Sequence, residues 1–162
     1  MILIDTREKP RAIKGITEYF DRCEIVYDRS KLYFGDYMDY QNPGLVIDRK
    51  QNIAELAKNC TSEHERFREE LKRAKAAGAI IVLLVEEDRF AADGKIVSVE
   101  SIEDLMKWSY PYTKIKGETV FRILSSWMAK YPLYVEFCDR RTTGRRIIEI
   151  LYRDKYKQLQ AG

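Results

Sequence analysis

Residues Ala79-Ile80-Ile81-Val82-Leu83-Leu84-Val85 form an unbroken apolar run, and no other feature of this 162-residue chain limits its fold as strongly. A strand turns successive side chains to opposite faces, so a run without polar alternation must be covered on both sides. It follows Gly78, which closes a charged helical stretch. That order predicts an α/β protein whose mixed sheet carries helices on each face. The chain length suits one domain with a substantial core.

A second buried strand is predicted at Leu45-Val46-Ile47-Asp48-Arg49-Lys50. Alternation puts Asp48 and Lys50 on one face and Arg49 on the other. Lys31 to Tyr37 reads as the preceding strand, with Asp36 after Gly35 near its end, and Asn42-Pro43-Gly44 reads as the hairpin turn that returns it beside Asp48. Two carboxylates and one ammonium then converge. Such a pair suits a hard divalent cation such as magnesium, which takes its remaining oxygens from water and substrate phosphate. The lysine can orient or help deprotonate an attacking water and offset charge on the phosphorane. This is the chemistry of phosphodiester hydrolysis. On spacing alone, the same residues also fit solvated strand-end charges.

The amino terminus, Met1 to Ile4, reads as a short strand delivering Asp5, Arg7 and Glu8 to a loop. Loops at strand ends commonly hold functional groups, although a turn-forming Asp with solvated neighbours fits equally well. Helices are predicted over 12–22 and from Gln51 to Lys58, with a strand at Glu24 to Tyr27 and a turn at Asp28-Arg29-Ser30. Ser62 and Glu65 have capping-box spacing and open a helix that buries Phe67, Leu71 and Ala74. Its remaining faces carry Arg66, Arg68, Lys72, Arg73 and Lys75 among Glu63, Glu69 and Glu70, which reads as a solvated surface. Tyr110 to Lys116 is a loop rich in aromatics and lysines that suits either stacking along a nucleic-acid strand or packing on the fold. Val120, Leu124, Trp127, Met128 and Tyr131 form a helical stripe that is core or subunit contact. The arginines between Asp139 and Arg146 precede a last helix and suit either phosphate or solvent.

A net charge of +3 is too small to imply a nucleic-acid partner by itself. No window approaches the roughly 18 apolar residues of a membrane span, and the initial apolar run is too short for a signal peptide. A soluble cytoplasmic protein with no membrane partner is expected. Cys23, Cys60 and Cys138 are scattered, which predicts neither disulfides nor a zinc site.

Taken in order, IDTRE, GDY, VIDRK, RFREELKRA and IIVLLVEE resemble the nuclease domain of the XPF family of structure-specific endonucleases, within the PD-(D/E)XK superfamily, and most resemble its small stand-alone phage and prophage forms. The family signature is G-D, a gap, then E-R-K-x-x-x-D. Gly35-Asp36 and Asp48-Arg49-Lys50 match it with Asp in place of Glu, while Ala54, followed by Glu55, stands where the family has its last Asp. The resemblance implies a single restriction-endonuclease-like domain over 1–157 with a short tail over 158–162. It implies magnesium or manganese held by Asp36 and Asp48, with Asp5 and Glu8 completing or supporting the site and Lys50 catalytic. Arg7, Arg49 and Arg66 become candidates for phosphate contact or for orienting carboxylates, although alternation turns Arg49 away from the metal. Branched, flapped or Holliday-type DNA would be cut during recombination, repair or replication. A homodimer through the 120–131 face and the final helix is expected, as is a further replication or recombination partner. The alternative is a DNA-binding scaffold without turnover, which Ala54 motivates.

Overall fold

In the computed structural model, which describes residues 1–160, the chain forms strands β1 (Ile2–Asp5), β2 (Tyr27–Ser30), β3 (Tyr37–Asp39), β4 (Asn42–Lys50), β5 (Ile80–Val85), β6 (Arg89–Ala92), β7 (Lys95–Ser98) and β8 (Leu133–Phe137). Its helices are α1 (Lys14–Arg22), α2 (Ile53–Cys60), α3 (His64–Ala76), α4 (Gly117–Lys130), α5 (Thr143–Tyr152) and α6 (Asp154–Gln160). The main sheet has six strands in the order β2-β1-β3-β4-β5-β8, and β6 and β7 form a separate hairpin. β3 is antiparallel to both β1 and β4, while β4, β5 and β8 run parallel.

The apolar run is covered as its pattern requires. Ile81, Leu83 and Val85 pack beneath α2, α3 and α4, whereas Ile80, Val82 and Leu84 pack against α1, α5 and Tyr156 of α6. β4 sorts in the same way, with Val46 in the first core and Leu45 and Ile47 in the second. Parallel register then sets Asp48 opposite Leu83 and Lys50 opposite Val85, so the charged end of β4 leaves the sheet beside the end of β5.

Several local expectations shift. The segment 31–36 is irregular rather than a strand, because Gly35 adopts φ +70 and Leu32 and Gly35 donate their amides to carboxylates instead of a ladder. The β3–β4 turn lies at Tyr40-Gln41, one step before Asn42-Pro43-Gly44. Pro43 is tolerated inside β4 because pairing with β5 begins only at Leu45. β2 occupies Tyr27–Ser30 rather than 24–27, since Glu24, at φ 54, turns the chain after α1. Glu63 caps α3 without a side-chain bond, so the expected Ser62/Glu65 capping box does not form. Residues 158–160 continue α6 rather than forming a tail, and 161–162 lie outside the described residues. Val120, Leu124 and Trp127 are spent in the first core, which removes the centre of the stripe expected to pair two copies. Among the described residues no helix is long and apolar enough to cross a membrane.

Leu83 has no exposed surface, and Leu83→Ala should lower unfolding free energy by about 2–5 kcal/mol in urea denaturation, the range for emptying a leucine site in a rigid core.

Candidate active site

β4 ends in three consecutive buried charges, Asp48, Arg49 and Lys50. Asp48 and Lys50 follow Val46 toward α2 and α3, and Lys50 Nζ lies 2.5 Å from Asp48 Oδ1 and 5.4 Å from the centre of the Phe67 ring. Arg49 follows Ile47 to the other face. There its Nε meets Glu8 at 2.7 Å and its Nη1 meets Glu86 at 2.9 Å. Glu8 Oε2 also accepts the Tyr37 hydroxyl at 2.9 Å, so the loop after β1 is tied to both β3 and β4.

Asp36 arrives from the irregular segment before β3. Its amide donates to Ile47 O and its carbonyl accepts from Asp5 N, each at 2.8 Å, while its Oδ2 accepts the Arg49 amide at 2.8 Å. Gly35 makes this approach feasible. A Cβ there would sit 2.1 Å from Val46 Cγ1, and its backbone is left-handed. The Gly35 amide donates to Glu70 Oε1 of α3 at 2.9 Å.

The cleft so formed is lined by Arg7, Glu8, Gly35, Asp36, Asp48, Arg49, Lys50, Glu55, Arg66, Phe67 and Glu70. In sequence, Glu70 belongs with the solvated charges of α3. Its position three residues after Phe67 and one before Leu71, at the edge of the buried stripe, was the available signal. Glu55 faces the cleft as well, but its Oε2 accepts the Gln51 amide at 2.7 Å as part of the α2 start. Arg66 pairs with Glu63 at 2.5 Å on the rim.

The structure separates Asp5 from this group. Asp5 is fully buried and does not line the cleft. Oδ1 accepts from Arg7 N and Nε, and Oδ2 accepts from Leu32 N and Arg7 Nη2. With both oxygens engaged, Asp5 is a holder of Arg7 and of the 31–36 segment rather than a third ligand facing Asp36. Burial pushes its pKa up, but the Arg7 and Leu32 contacts outweigh that and leave it low.

The electrostatics of Asp36 and Glu70 run the other way. Asp36 is held well above the usual carboxylate range, first by removal from water, then by the charges of Asp48 and Glu8. Glu70 is raised by burial and then by Asp48. Burial works against the Lys50 ammonium, yet Asp48, Asp36 and Glu55 together hold its pKa above the ordinary lysine value. Lys50 is therefore a proton-holding cation in the protein alone.

The protein is thus a helix-flanked mixed sheet with Asp48 and Lys50 at the end of the central strand β4 and Asp36 in the same cleft. Among the solved structures it resembles are XPF from Aeropyrum pernix, at TM-score 0.63 and 14% identity over 95% of this chain and 61% of that one, and XPF from Aeropyrum pernix in complex with DNA, at TM-score 0.62 and 13% identity over 96% and 65%. The fold is that of an XPF-type nuclease domain. This chain spans less than two thirds of the length of either matched chain. No protein-family model and no curated protein matches the sequence.

Two measurements test this electrostatic account. Asp36 binds its proton more tightly folded than unfolded, so stability falls as pH rises from the ordinary carboxyl value through the raised one. Asp36→Asn should therefore be more stable than wild type by roughly 0.5–2 kcal/mol at neutral pH, with the difference vanishing in acid. Thermal melts across pH read this. Arg49→Ala strands Glu8 and Glu86 in the interior and should cost about 3–5 kcal/mol in the same assay.

Proposed function

We propose that the protein is a divalent-metal-dependent endonuclease that hydrolyses DNA phosphodiester bonds at branches, flaps or junctions. The observation that carries this reading is the meeting of Asp36, Asp48 and the Lys50 ammonium in one cleft, at the end of a strand in an XPF-type fold. A matched XPF structure that contains DNA supports DNA as the partner.

The donor set fits magnesium or manganese. Asp48 Oδ1 lies 2.5 Å from Lys50 Nζ, and Asp36 and Asp48 stand close enough to repel, which after burial helps to raise Asp36. A cation held by Asp36 and Asp48 relieves that repulsion. Among the described residues no three His, Cys, Asp or Glu side chains are grouped as a metal cage, and two carboxylates suit an ion that keeps several waters. Such an ion, when bound, supplies positive charge at the scissile phosphate.

The chain's own residues then divide the work. Lys50, holding its proton, donates to the attacking water or a non-bridging phosphate oxygen and offsets the growing negative charge. Glu70, raised and in the same cleft, is suited to accept the proton that the water loses. Arg7, held by Asp5, and Arg66 stand at the rim to draw the backbone in.

Ala54 favours a second reading. The resemblance places an acid there, and the adjacent Glu55 is already committed to the Gln51 amide, which fits a DNA-binding scaffold without turnover.

Cleavage of labelled duplex, flap, fork and four-way-junction DNA with magnesium or manganese separates the two. A nuclease should cut at least one branched substrate, stop in EDTA, and lose about 10²–10³-fold in rate with Asp36→Ala or Lys50→Ala. Binding without cutting in either metal, with no rise in melting temperature on adding the metal, would establish the scaffold instead.

A further inference from the structure

A second opening lies beside the first turn of α2. Glu55 and Lys50 face the carboxylate cleft, while Asn52 and Ala54 line a cavity of about 480 Å³ walled by Glu87, Phe90, Trp108 and Tyr110. That volume falls in the range of roughly 300–1,000 Å³ typical of ligand sites. Its aromatic wall is unusually presented. The Trp108 and Tyr110 rings are parallel to within 5° with centroids 6.2 Å apart, and Tyr112 sets an edge on Tyr110 at 5.5 Å. Trp108 is 4% exposed and anchors the group, whereas Tyr110 is 42% and Tyr112 86% exposed, so their rings contribute little to the core.

The loop is built rather than loose. Ser109 bridges Lys116, the Gly117 amide donates to Trp108 O, and the Trp108 amide donates to Leu105 O. A Cβ on Gly117 would lie 1.7 Å from Leu105 O, so glycine is what lets the loop close. Two polar atoms at the cavity have hydrogen-bonding capacity in reserve. Asn52 Oδ1 caps Glu55 N and Glu87 Oε1 accepts Ile53 N, while among the described residues Asn52 Nδ2 and Glu87 Oε2 make no hydrogen bond. Lys114 and Lys116 are exposed, and among the described residues neither forms an ion pair.

We propose that this cavity receives an unpaired nucleobase of the DNA strand whose backbone enters the carboxylate cleft, with Tyr110 as its stacking plate. Flat aromatic faces suit any base, a free donor and a free acceptor suit a base edge, and the lysines suit the flanking phosphates. Paired bases in a duplex cannot enter. The subsite would therefore hold one base of an unpaired segment beside the first turn of α2. This rests on the nuclease reading and specifies its substrate.

The test uses the whole chain, a fluorescein-labelled duplex, and the same duplex with a short unpaired thymidine flap, titrated in EDTA by anisotropy. Tyr110→Ala should weaken flap binding by about ten-fold, the order of one lost base–aromatic stack, and leave duplex binding unchanged, while Tyr110→Phe restores the flap affinity. In parallel, 2-aminopurine at each of the first three unpaired positions should be quenched at one of them by wild type and Tyr110→Phe but not by Tyr110→Ala. Equal losses on flap and duplex, or no quenching at any position, would overturn the subsite. If wild type still cuts DNA in that case, only the subsite falls; if it neither binds nor cuts DNA, the nuclease reading falls with it.

Discussion

Three successive charged side chains are buried at the end of a central strand, and the remaining architecture is arranged to make that tolerable. Removing each ion from water costs several kcal/mol unless a partner is in place. Strand alternation divides the load. Asp48 and Lys50 compensate one another on the α2/α3 face, and Arg49 is met on the opposite face by Glu8 from the loop after β1 and Glu86 from just beyond β5. The ends of β1, β4 and β5 are thus joined by charge as well as by sheet bonding.

The same acids shape the backbone around them. Asp5 takes the Leu32 amide and Glu70 the Gly35 amide, while Asp36, within the segment, takes the Arg49 amide, so the irregular segment before β3 is tied to β1, α3 and β4. A segment satisfied in this way can deliver Asp36 to the end of β4 without being a strand. It also couples α3 to the site, since Phe67 packs beneath Lys50 and Glu70 grips the glycine that lets Asp36 approach. The acids remain close enough to repel, and Asp36 and Glu70 are raised for that reason together with burial. Clustered like charge of this kind is a functional strain, sustained by the apolar cores on both faces of the sheet.

The aromatic loop after Trp108 stands on the other side of the first turn of α2 from this cleft. Ala54 lines that second cavity with a small side chain.

Much of the fold was legible because its signals are periodic. The run at 79–85 required two covered faces, and alternation along Asp48-Arg49-Lys50 determined which side chains share a face; both follow from the two-residue repeat of a strand. Glycine at 35 and the acids around it marked the site region but not its construction. Asp5 reads like a ligand in sequence, and only folding shows both its oxygens consumed by Arg7 and Leu32. Glu70 reads like a solvated helix charge, and only the docking of α3 against β4 turns it into the cleft. The sequence by itself determined the sheet, its helical cover and the carboxylate–lysine strand end, because these depend on local pattern. Tertiary structure alone decided which acids face one another and which are spent on backbone amides, because those pairings join residues far apart in the chain.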